Sequence, residues 1–351
     1  MKLSATEASQ KGCPQGTCLN ESQPQVQPFR MLCNHFCSNF SQGAQPYLQP
    51  FQARFRGDWT PYPPRQCILT LGMRRILTAA VLIPLVLVLA FIGPAWLVTL
   101  ATAGVAVLAG WEFMGLAEKC GAKPSRLAVC LSILGLFAAH LFADNLEWLR
   151  QTNAVFGILA LTLLVVCTFR SPVDRMLPDA TSSVFCLIYA GFTLTTIPLL
   201  REESNGPSLL IFLMCVVWSG DIAALYVGRA FGRRKLAPNL SPNKTWEGAI
   251  GSLAGSLVAA GGLWSLAAWL ETMNSARLSY PDEVGYWLIL AAVVNVAAQV
   301  GDLAESALKR SAGVKDSGNL LPGHGGVLDR IDALLLAAPV LWYAQVIHQR
   351  F

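Results

Sequence analysis

The stretch Ser306-Ala-Leu-Lys-Arg-Ser-Ala-Gly-Val-Lys-Asp-Ser-Gly-Asn-Leu-Leu-Pro-Gly-His-Gly-Gly-Val-Leu-Asp-Arg-Ile-Asp332 separates two apolar segments near the C-terminus of this 351-residue chain. It contains four basic residues, three Asp, one His and five Gly, although only 13% of the chain is charged. Glycine lets backbone N–H groups approach a ligand closely, and Lys and Arg match phosphate oxygens. Carboxylates suit Mg²⁺, which keeps part of its coordination shell for water and substrate phosphate. The stretch therefore predicts a phosphate-and-metal site at a membrane surface.

The composition around this stretch is that of a membrane protein. Apolar residues make up 54% of the chain and the mean hydropathy is positive. A helix needs about 20 residues to cross the roughly 30 Å of hydrocarbon, and only helices satisfy their backbone groups within one segment. We therefore predict an all-α, polytopic integral membrane bundle of about nine transmembrane helices, at 76–93, 94–117, 127–143, 154–169, 182–200, 208–232, 247–270, 285–308 and 331–348.

The N-terminal residues 1–72 differ from the rest of the chain. They are rich in Gln, Pro, Ser and Asn, and no apolar run in them is long enough for a signal peptide or a span. Such a segment buries too little apolar surface to offset the entropy of ordering, so we predict disorder. The sequence at Met73-Arg-Arg resembles the beginning of a membrane protein, which leaves open whether residues 1–72 have any role. The predicted membrane domain is 73–351.

The basic residues of the loops predict the orientation of the bundle. Most of them fall on alternate loops, and the positive-inside rule assigns those loops to the cytoplasm. The predicted protein therefore lies in the inner or plasma membrane, with the C-terminus outside and the site facing the cytoplasm. The cytoplasmic set comprises Arg74, Arg75, Lys119, Lys123, Arg126, Arg170, Arg175, Arg233, Arg234, Lys235, Lys244, Lys309, Arg310, Lys315 and Arg330.

The sixth predicted span carries a carboxylate and a stripe of small residues. A carboxylate within a span costs several kcal/mol unless it faces a polar cavity, a metal or a cation, so Asp221 is a candidate site residue. Small residues at every fourth position allow close approach of a neighbouring helix. That stripe consists of Gly220, Ala224, Gly228 and Gly232.

The segment Ser241-Pro-Asn-Lys-Thr-Trp-Glu-Gly248 precedes the seventh predicted span. Ser241-Pro242 followed by Glu247 is typical of an ordinary helix start. That interpretation leaves out Lys244 and Thr245, which lie where a helix N-terminus already favours anions. A cation and a hydroxyl in that field indicate a cradle for nucleotide phosphates.

The eighth predicted span has a polar stripe. Asn295, Gln299, Asp302, Ser306 and Lys309 are separated by four, three, four and three residues, so they share one helical face. In a membrane such a face must border the bundle interior or a watery cleft. Asp329 and Asp332 likewise share one face at the start of the ninth span.

These motifs resemble the signature of the CDP-diacylglycerol synthases, or phosphatidate cytidylyltransferases. The matching residues are Ser306-x-x-Lys309-Arg310, Lys315-Asp316, and His324-Gly-Gly-x-x-Asp329-Arg330-x-Asp332. Ser241-Pro-x-Lys-Thr-x-Glu-Gly248 resembles a second motif of the same family. The resemblance extends from about residue 73 to the end. It implies that CTP and phosphatidic acid react to give CDP-diacylglycerol and pyrophosphate.

The resemblance also implies roles for individual residues. Asp302 and Asp329 are expected to hold Mg²⁺, with a second cation left open. The predicted catalytic residues are Asp302, Asp329, Lys309 and Arg310. The predicted substrate-binding residues are Asp221, Ser241, Lys244, Thr245, Glu247, Ser306, Lys315, Asp316, His324 and Arg330.

Two other functions fit part of the pattern. One is a CTP-dependent kinase of polyprenols or lipid alcohols, which would transfer a different phosphate of CTP. The other is a transporter, although we find no convincing internal repeat. The expected partners are CTP, phosphatidic acid and membrane lipid, with no nucleic acid. The sequence leaves a homodimer open.

Overall fold

A computed structural model describes residues 84–142, 152–273, 278–281, 283–318, 320 and 325–350. All of them belong to the compact unit formed by residues 64–351. The predicted disordered extension, 1–72, lies outside the described residues, as does His324.

The described chain is almost entirely helical. A helical stretch at 84–92, which we call α1, comes first. The helices that follow are α2 (Ala95–Lys119), α3 (Arg126–Leu141), α4 (Thr152–Arg170), α5 (Met176–Glu202), α6 (Gly206–Phe231), α7 (Trp246–Thr272), α8 (Val284–Ser311), α9 (Leu328–Ile331) and α10 (Leu334–His348). Helix α5 contains one π-helical turn, Leu187–Phe192.

Five of the described helices are long and apolar enough to cross a membrane, namely α2, α5, α6, α7 and α8. Three shorter apolar helices, α3, α4 and α10, accompany them. The structure therefore confirms a helical bundle of the membrane type. Its long helices coincide with predicted spans to within a few residues at most boundaries, because runs of apolar residues determine where helices can lie in lipid.

The ninth predicted span, 331–348, is shorter and interrupted in the structure. One helical turn, α9, is followed by a break in the regular hydrogen bonding at Asp332 and Ala333, whose backbone angles stay helical, and α10 begins after them. At the break, Asp332 Oδ1 accepts a hydrogen bond from the Ala333 backbone N–H at 2.8 Å. A short acidic side chain that binds its own backbone in this way competes with regular helical pairing.

A short β-hairpin links α6 to α7, which the sequence did not lead us to expect. Strands β1 (Lys235–Ala237) and β2 (Ser241–Thr245) pair antiparallel. The structure therefore excludes the alternative interpretation of Ser241-Pro242 as a helix start, whereas the predicted span 247–270 agrees with α7. Helix α7 begins at Trp246, and its cap is Thr245, whose Oγ1 accepts a hydrogen bond from the Gly248 N–H at 3.1 Å.

Two apolar cores hold the bundle together. The first joins α6, α7, α8 and α10, and buries the aromatic cluster of Phe212, Tyr280 and Trp287. The second joins α2, α3, α4 and α5 around Ile133, Leu136 and other aliphatic side chains. The two halves meet at the C-terminal ends of α2 and α8, where Cys120 Sγ and Ser311 Oγ are 3.9 Å apart.

Candidate active site

A cavity of about 530 Å³ lies between α6, the β-hairpin, α7 and α8. Volumes of this size are typical of small-molecule sites. Four of the predicted site residues line it, and they come from three separate parts of the chain. The lining residues are Asp221, Ala224, Leu225, Gly228, Arg229, Leu236, Asn243, Lys244, Thr245, Gly248, Ala249, Ser252, Gln299 and Asp302.

An ion pair joins two opposite walls of this cavity. Lys244 Nζ, from β2, contacts Asp302 Oδ2, from α8. Their side chains are 27% and 33% exposed, so both charges remain accessible from the cavity. Asp221 lines the same cavity from α6. Two carboxylates and a lysine therefore converge at one site, together with Arg229.

Close packing of α6 on α7 forms the floor of the cavity. A Cβ on Gly220 would lie 2.5 Å from Asn295 Nδ2 and 2.7 Å from Ser256 Oγ, and a Cβ on Gly248 would lie 3.1 Å from the Ala224 carbonyl oxygen. Side chains at these glycines would push the helices apart. The predicted role of the small-residue stripe, close helix approach, is confirmed.

Buried amides hold α8 against α7 beside the cavity. Asn295 is 1% exposed, and its Nδ2 donates to Ser252 Oγ at 2.9 Å and to Ser256 Oγ at 2.8 Å. Gln299 Nε2 donates to Asn295 Oδ1 at 2.6 Å. Asn295, the first residue of the predicted polar stripe, therefore serves helix packing. Gln299 and Asp302 are the members of the stripe that line the cavity.

Glu247 lies outside the cavity lining. Its carboxylate accepts hydrogen bonds from the backbone N–H groups of Arg233 and Arg234, at 3.1 and 3.2 Å. Because these residues lead into β1, Glu247 fixes the turn that carries the hairpin. The structure thus places Glu247 as a support for Lys244 and Thr245.

A second charged cluster lies at the C-terminal end of α8. Lys309 Nζ contacts Glu305 Oε2 at 2.5 Å and Asp329 Oδ1 at 2.7 Å. Asp329 Oδ2 accepts from the Gly326 N–H at 2.8 Å, and from both the N–H and the Oγ of Ser317 at 3.0 Å. The two oxygens of Asp329 together meet four donors, so this carboxylate fastens the loop between α8 and α9.

The surroundings of Asp329 keep it ionised. Burial alone raises the pKa of this carboxyl, but the hydrogen bonds from Lys309 and from the backbone N–H groups of Gly326 and Ser317 outweigh burial. The resulting pKa is about 2, below the ordinary value for Asp. Asp329 therefore carries its charge throughout the physiological range.

Glu112 of α2 fastens the same loop from the other half of the bundle. It is 5% exposed, and accepts hydrogen bonds from Ser317 Oγ at 3.0 Å and from the N–H groups of Val327 and Leu328 at 3.0 and 2.8 Å. A Cβ on Gly326 would overlap Glu112 Oε2 and Ser317 Oγ. Position 326 must therefore be Gly because the Glu112 carboxylate lies against its backbone. The sequence had suggested that the glycines of this stretch make room for a bound phosphate.

The remaining predicted site residues are spread over the same end of the bundle. Arg310 donates from Nε to the Leu240 carbonyl oxygen at 3.3 Å and from Nη1 to the Val314 carbonyl oxygen at 3.2 Å, which ties the hairpin to α8. The others lie outside the cavity lining among the described residues, and comprise Ser241 and Ser306, which are partly buried, and Lys315, Asp316 and Arg330, which are exposed.

Sequence reasoning missed Glu112, Glu305, Arg229 and Asn243. Glu112 and Glu305 are carboxylates within apolar helices, and the rule that selected Asp221 applies equally to them. The sequence therefore contained the signal that identifies both of these carboxylates. Arg229 and Asn243 lie beside predicted residues but carry no periodic pattern, so only the cavity identifies them.

The carboxylates of the cavity fit a magnesium ion shared with a substrate. Among the described residues, no group of three or more Asp, Glu, His or Cys side chains is placed to form a metal site by itself. Mg²⁺ is usually held by one or two carboxylates, water and substrate phosphates. Asp302 and Asp221 meet that requirement at one cavity. Asp329 would have to exchange at least one of its four donors to hold a cation.

Comparison with known proteins identifies the family. The sequence profile of the Cytidylyltransferase family matches residues 73–348. A phosphatidate cytidylyltransferase of Haemophilus influenzae is 34% identical over 291 residues, which are 77% of this chain and 97% of that protein. One of Bacillus subtilis is 37% identical over 205 residues, covering 57% of this chain and 69% of that protein.

A phosphatidate cytidylyltransferase of Brucella suis biovar 1 is 49% identical over 157 residues, or 44% of this chain. That match spans about half of the Brucella protein, 54% of its length. The family profile, however, covers most of the chain, and the Haemophilus relative is matched over nearly all of its length. Together with the motifs at 241–248 and 306–332, these matches show that the chain belongs to the cytidylyltransferase family.

Proposed function

We propose that this protein transfers a cytidylyl group from CTP to phosphatidic acid, giving CDP-diacylglycerol and pyrophosphate. The observation that carries the proposal is the cavity where Lys244, Asp302 and Asp221 converge in a chain of this family. A phosphate oxygen of the lipid attacks the α-phosphorus of CTP, and the bond to the β-phosphate oxygen breaks as pyrophosphate leaves. Such transfers depend on positioning and charge neutralisation more than on a covalent intermediate.

The residues of the cavity supply that positioning. Lys244 and Arg229 are cations on the cavity wall, suited to the phosphates of CTP. Before substrate binds, the ion pair with Asp302 keeps Lys244 directed into the cavity. This pair must open or rearrange as the phosphates enter. Asp302 and Asp221 would hold Mg²⁺, which supplies charge neutralisation at the phosphates when bound. Lys309 is positioned by Asp329 and Glu305 at the adjoining end of α8.

Isotope transfer tests this reaction against the kinase alternative. The purified protein is incubated with phosphatidic acid, Mg²⁺ and CTP labelled at either the α- or the γ-phosphate. We expect α-label in the lipid and γ-label in pyrophosphate. Transfer of γ-label to a lipid alcohol would instead show a CTP-dependent kinase. Absence of label from every lipid, in protein that remains folded, would contradict both reactions.

We further propose that nine segments span the inner or plasma membrane and that the cavity opens to the cytoplasm. The support is the distribution of basic residues in the loops, with Arg233, Arg234 and Lys235 beside the hairpin and Lys309 and Arg310 at the end of α8. CTP is water-soluble, whereas phosphatidic acid stays in the bilayer. A cleft at the cytoplasmic interface gives both substrates access.

Reporter fusions test this topology. With nine spans, a reporter attached after Phe351 is expected on the extracytoplasmic side, and one inserted beside Lys235 on the cytoplasmic side. The measurement is the activity of a reporter that functions on only one side of the membrane. Both reporters on the same side would contradict the proposed number of spans after α6, with the interrupted segment at 331–348 the first to re-examine.

A further inference from the structure

A second polar cavity lies apart from the candidate active site, where α2 and α4 end and α5 begins. Its volume is about 240 Å³, and its lining comes from the chain around Lys123 and from 166–175, together with Asp179. Three cations, Lys123, Arg170 and Arg175, line it against one carboxylate, Asp179. Three positive charges and one negative charge leave a net formal charge of +2.

Asp179 does not satisfy these cations. It is 1% exposed, and its Oδ1 accepts from the Lys123 backbone N–H at 2.6 Å while its Oδ2 accepts from Ser171 Oγ at 2.7 Å. None of the three cations forms an ion pair with another described residue. The buried Nε of Arg175 also has no hydrogen-bond partner among the described residues. Among the residues that the structure describes, the cavity therefore offers one buried guanidinium N–H without an acceptor and two exposed cations without an ion pair.

An apolar groove of about 760 Å³ adjoins this cavity. The two are lined by neighbouring residues of the chain, Ala122 next to Lys123 and Ala180 next to Asp179. The groove follows α5 from Met176 to Ile188, a distance of roughly 18 Å at the helical rise of 1.5 Å per residue. Leu177 and Phe185 are 70% and 43% exposed along it, on a surface that the bilayer would cover.

We propose that the cavity and the groove together bind one anionic glycerophospholipid. Its phosphate lies against Lys123, Arg170 and Arg175, and an acyl chain follows the groove along α5. Basic pockets between transmembrane helices are suited to lipid head groups, and Arg and Lys to phosphate oxygens. The Cys120–Ser311 contact brings this site to the same end of the bundle as the candidate active site, which α6, α7 and α8 form. The lipid site is separate from the reacting groups, because none of the residues that line its polar cavity lines the candidate active site.

Retention of lipid by the detergent-solubilised protein, measured by native mass spectrometry, tests this site. The probes are phosphatidylglycerol and phosphatidylcholine with the same acyl chains. Phosphatidylglycerol has a phosphodiester and no free phosphomonoester, so it is not an acceptor for cytidylyl transfer, and its binding does not depend on the proposed reaction. We expect the protein to retain phosphatidylglycerol in preference to phosphatidylcholine.

Removing the cations is expected to abolish that preference. Each cation near a membrane surface accounts for about a fivefold change in binding, so Arg170→Gln/Arg175→Gln should retain phosphatidylglycerol about 30-fold more weakly. Lys123→Gln, which alters an exposed side chain, should lose about fivefold. The matched control is Arg233→Gln/Arg234→Gln, which removes two cations from the same end of the bundle and should change little. Equal retention by both double variants would overturn the proposal.

Filling the groove distinguishes a lipid from a soluble anion. Thr181 is exposed and lines the groove, so Thr181→Trp should displace the acyl chain and weaken retention while the cations remain. Inorganic phosphate at millimolar concentration should not displace phosphatidylglycerol. Displacement by phosphate, with Thr181→Trp without effect, would show a site for a soluble anion and overturn the lipid assignment.

Discussion

Asp302→Asn is expected to lower kcat/KM for cytidylyl transfer by about 100-fold or more. Asn keeps the shape of the side chain and one acceptor oxygen, but it removes the charge that pairs with Lys244 and that Mg²⁺ requires. Loss of metal-assisted charge stabilisation costs several kcal/mol, and about 1.4 kcal/mol corresponds to each factor of ten. The measurement is steady-state transfer by the solubilised protein at saturating Mg²⁺.

Asp332→Asn is the matched control for this prediction. Asp332 lies at the break between α9 and α10, outside the cavity lining, and the Ala333 N–H donates to its carboxylate. The same chemical change should therefore reduce activity less. Both variants should unfold at nearly the wild-type temperature, which separates chemistry from folding. Near-normal turnover of Asp302→Asn would end the metal assignment and leave a phosphate site built from Lys244, Lys309, Arg310 and Lys315.

Glu112→Ala is expected to destabilise the protein by about 3 kcal/mol or more. The change removes the acceptor of two backbone N–H groups, those of Val327 and Leu328, while Ser317 Oγ keeps Asp329 Oδ2 as an acceptor. A buried donor left without an acceptor costs about 1–3 kcal/mol. The midpoint of thermal unfolding in detergent measures the loss, and limited proteolysis between α8 and α9 shows whether the loop is released.

Two variants calibrate this effect. Glu112→Gln keeps an acceptor oxygen and should cost less than Glu112→Ala. Glu118→Gln, on the same helix, removes only a pair with Arg126 whose side chains are 28% and 37% exposed, so it should cost less than about 1 kcal/mol. If Glu112→Ala unfolds at the same temperature as Glu118→Gln, the buried carboxylate does not hold the loop.

The sequence by itself determined where the helices lie. Segments such as 208–232 and 285–308 correspond to α6 (Gly206–Phe231) and α8 (Val284–Ser311), because a bilayer requires each apolar run to satisfy its own backbone. The same local information located the glycine stripe and its packing role. It also brought Asp221, Lys244, Thr245 and Asp302 forward as site residues, since charges and capping groups in an apolar chain are conspicuous.

Only the tertiary structure decided how those charges are paired. Helical periodicity placed Asp302 and Lys309 on one face, yet Asp302 contacts Lys244 in the cavity, whereas Lys309 contacts Asp329 beside the loop. Glu112 reaches Ser317 across 205 positions of sequence, and no local pattern predicts that pair. The sequence shows which residues are charged and lie in apolar segments, and therefore which ones must find a partner. The identity of that partner depends on how helices that are distant in the chain pack against each other.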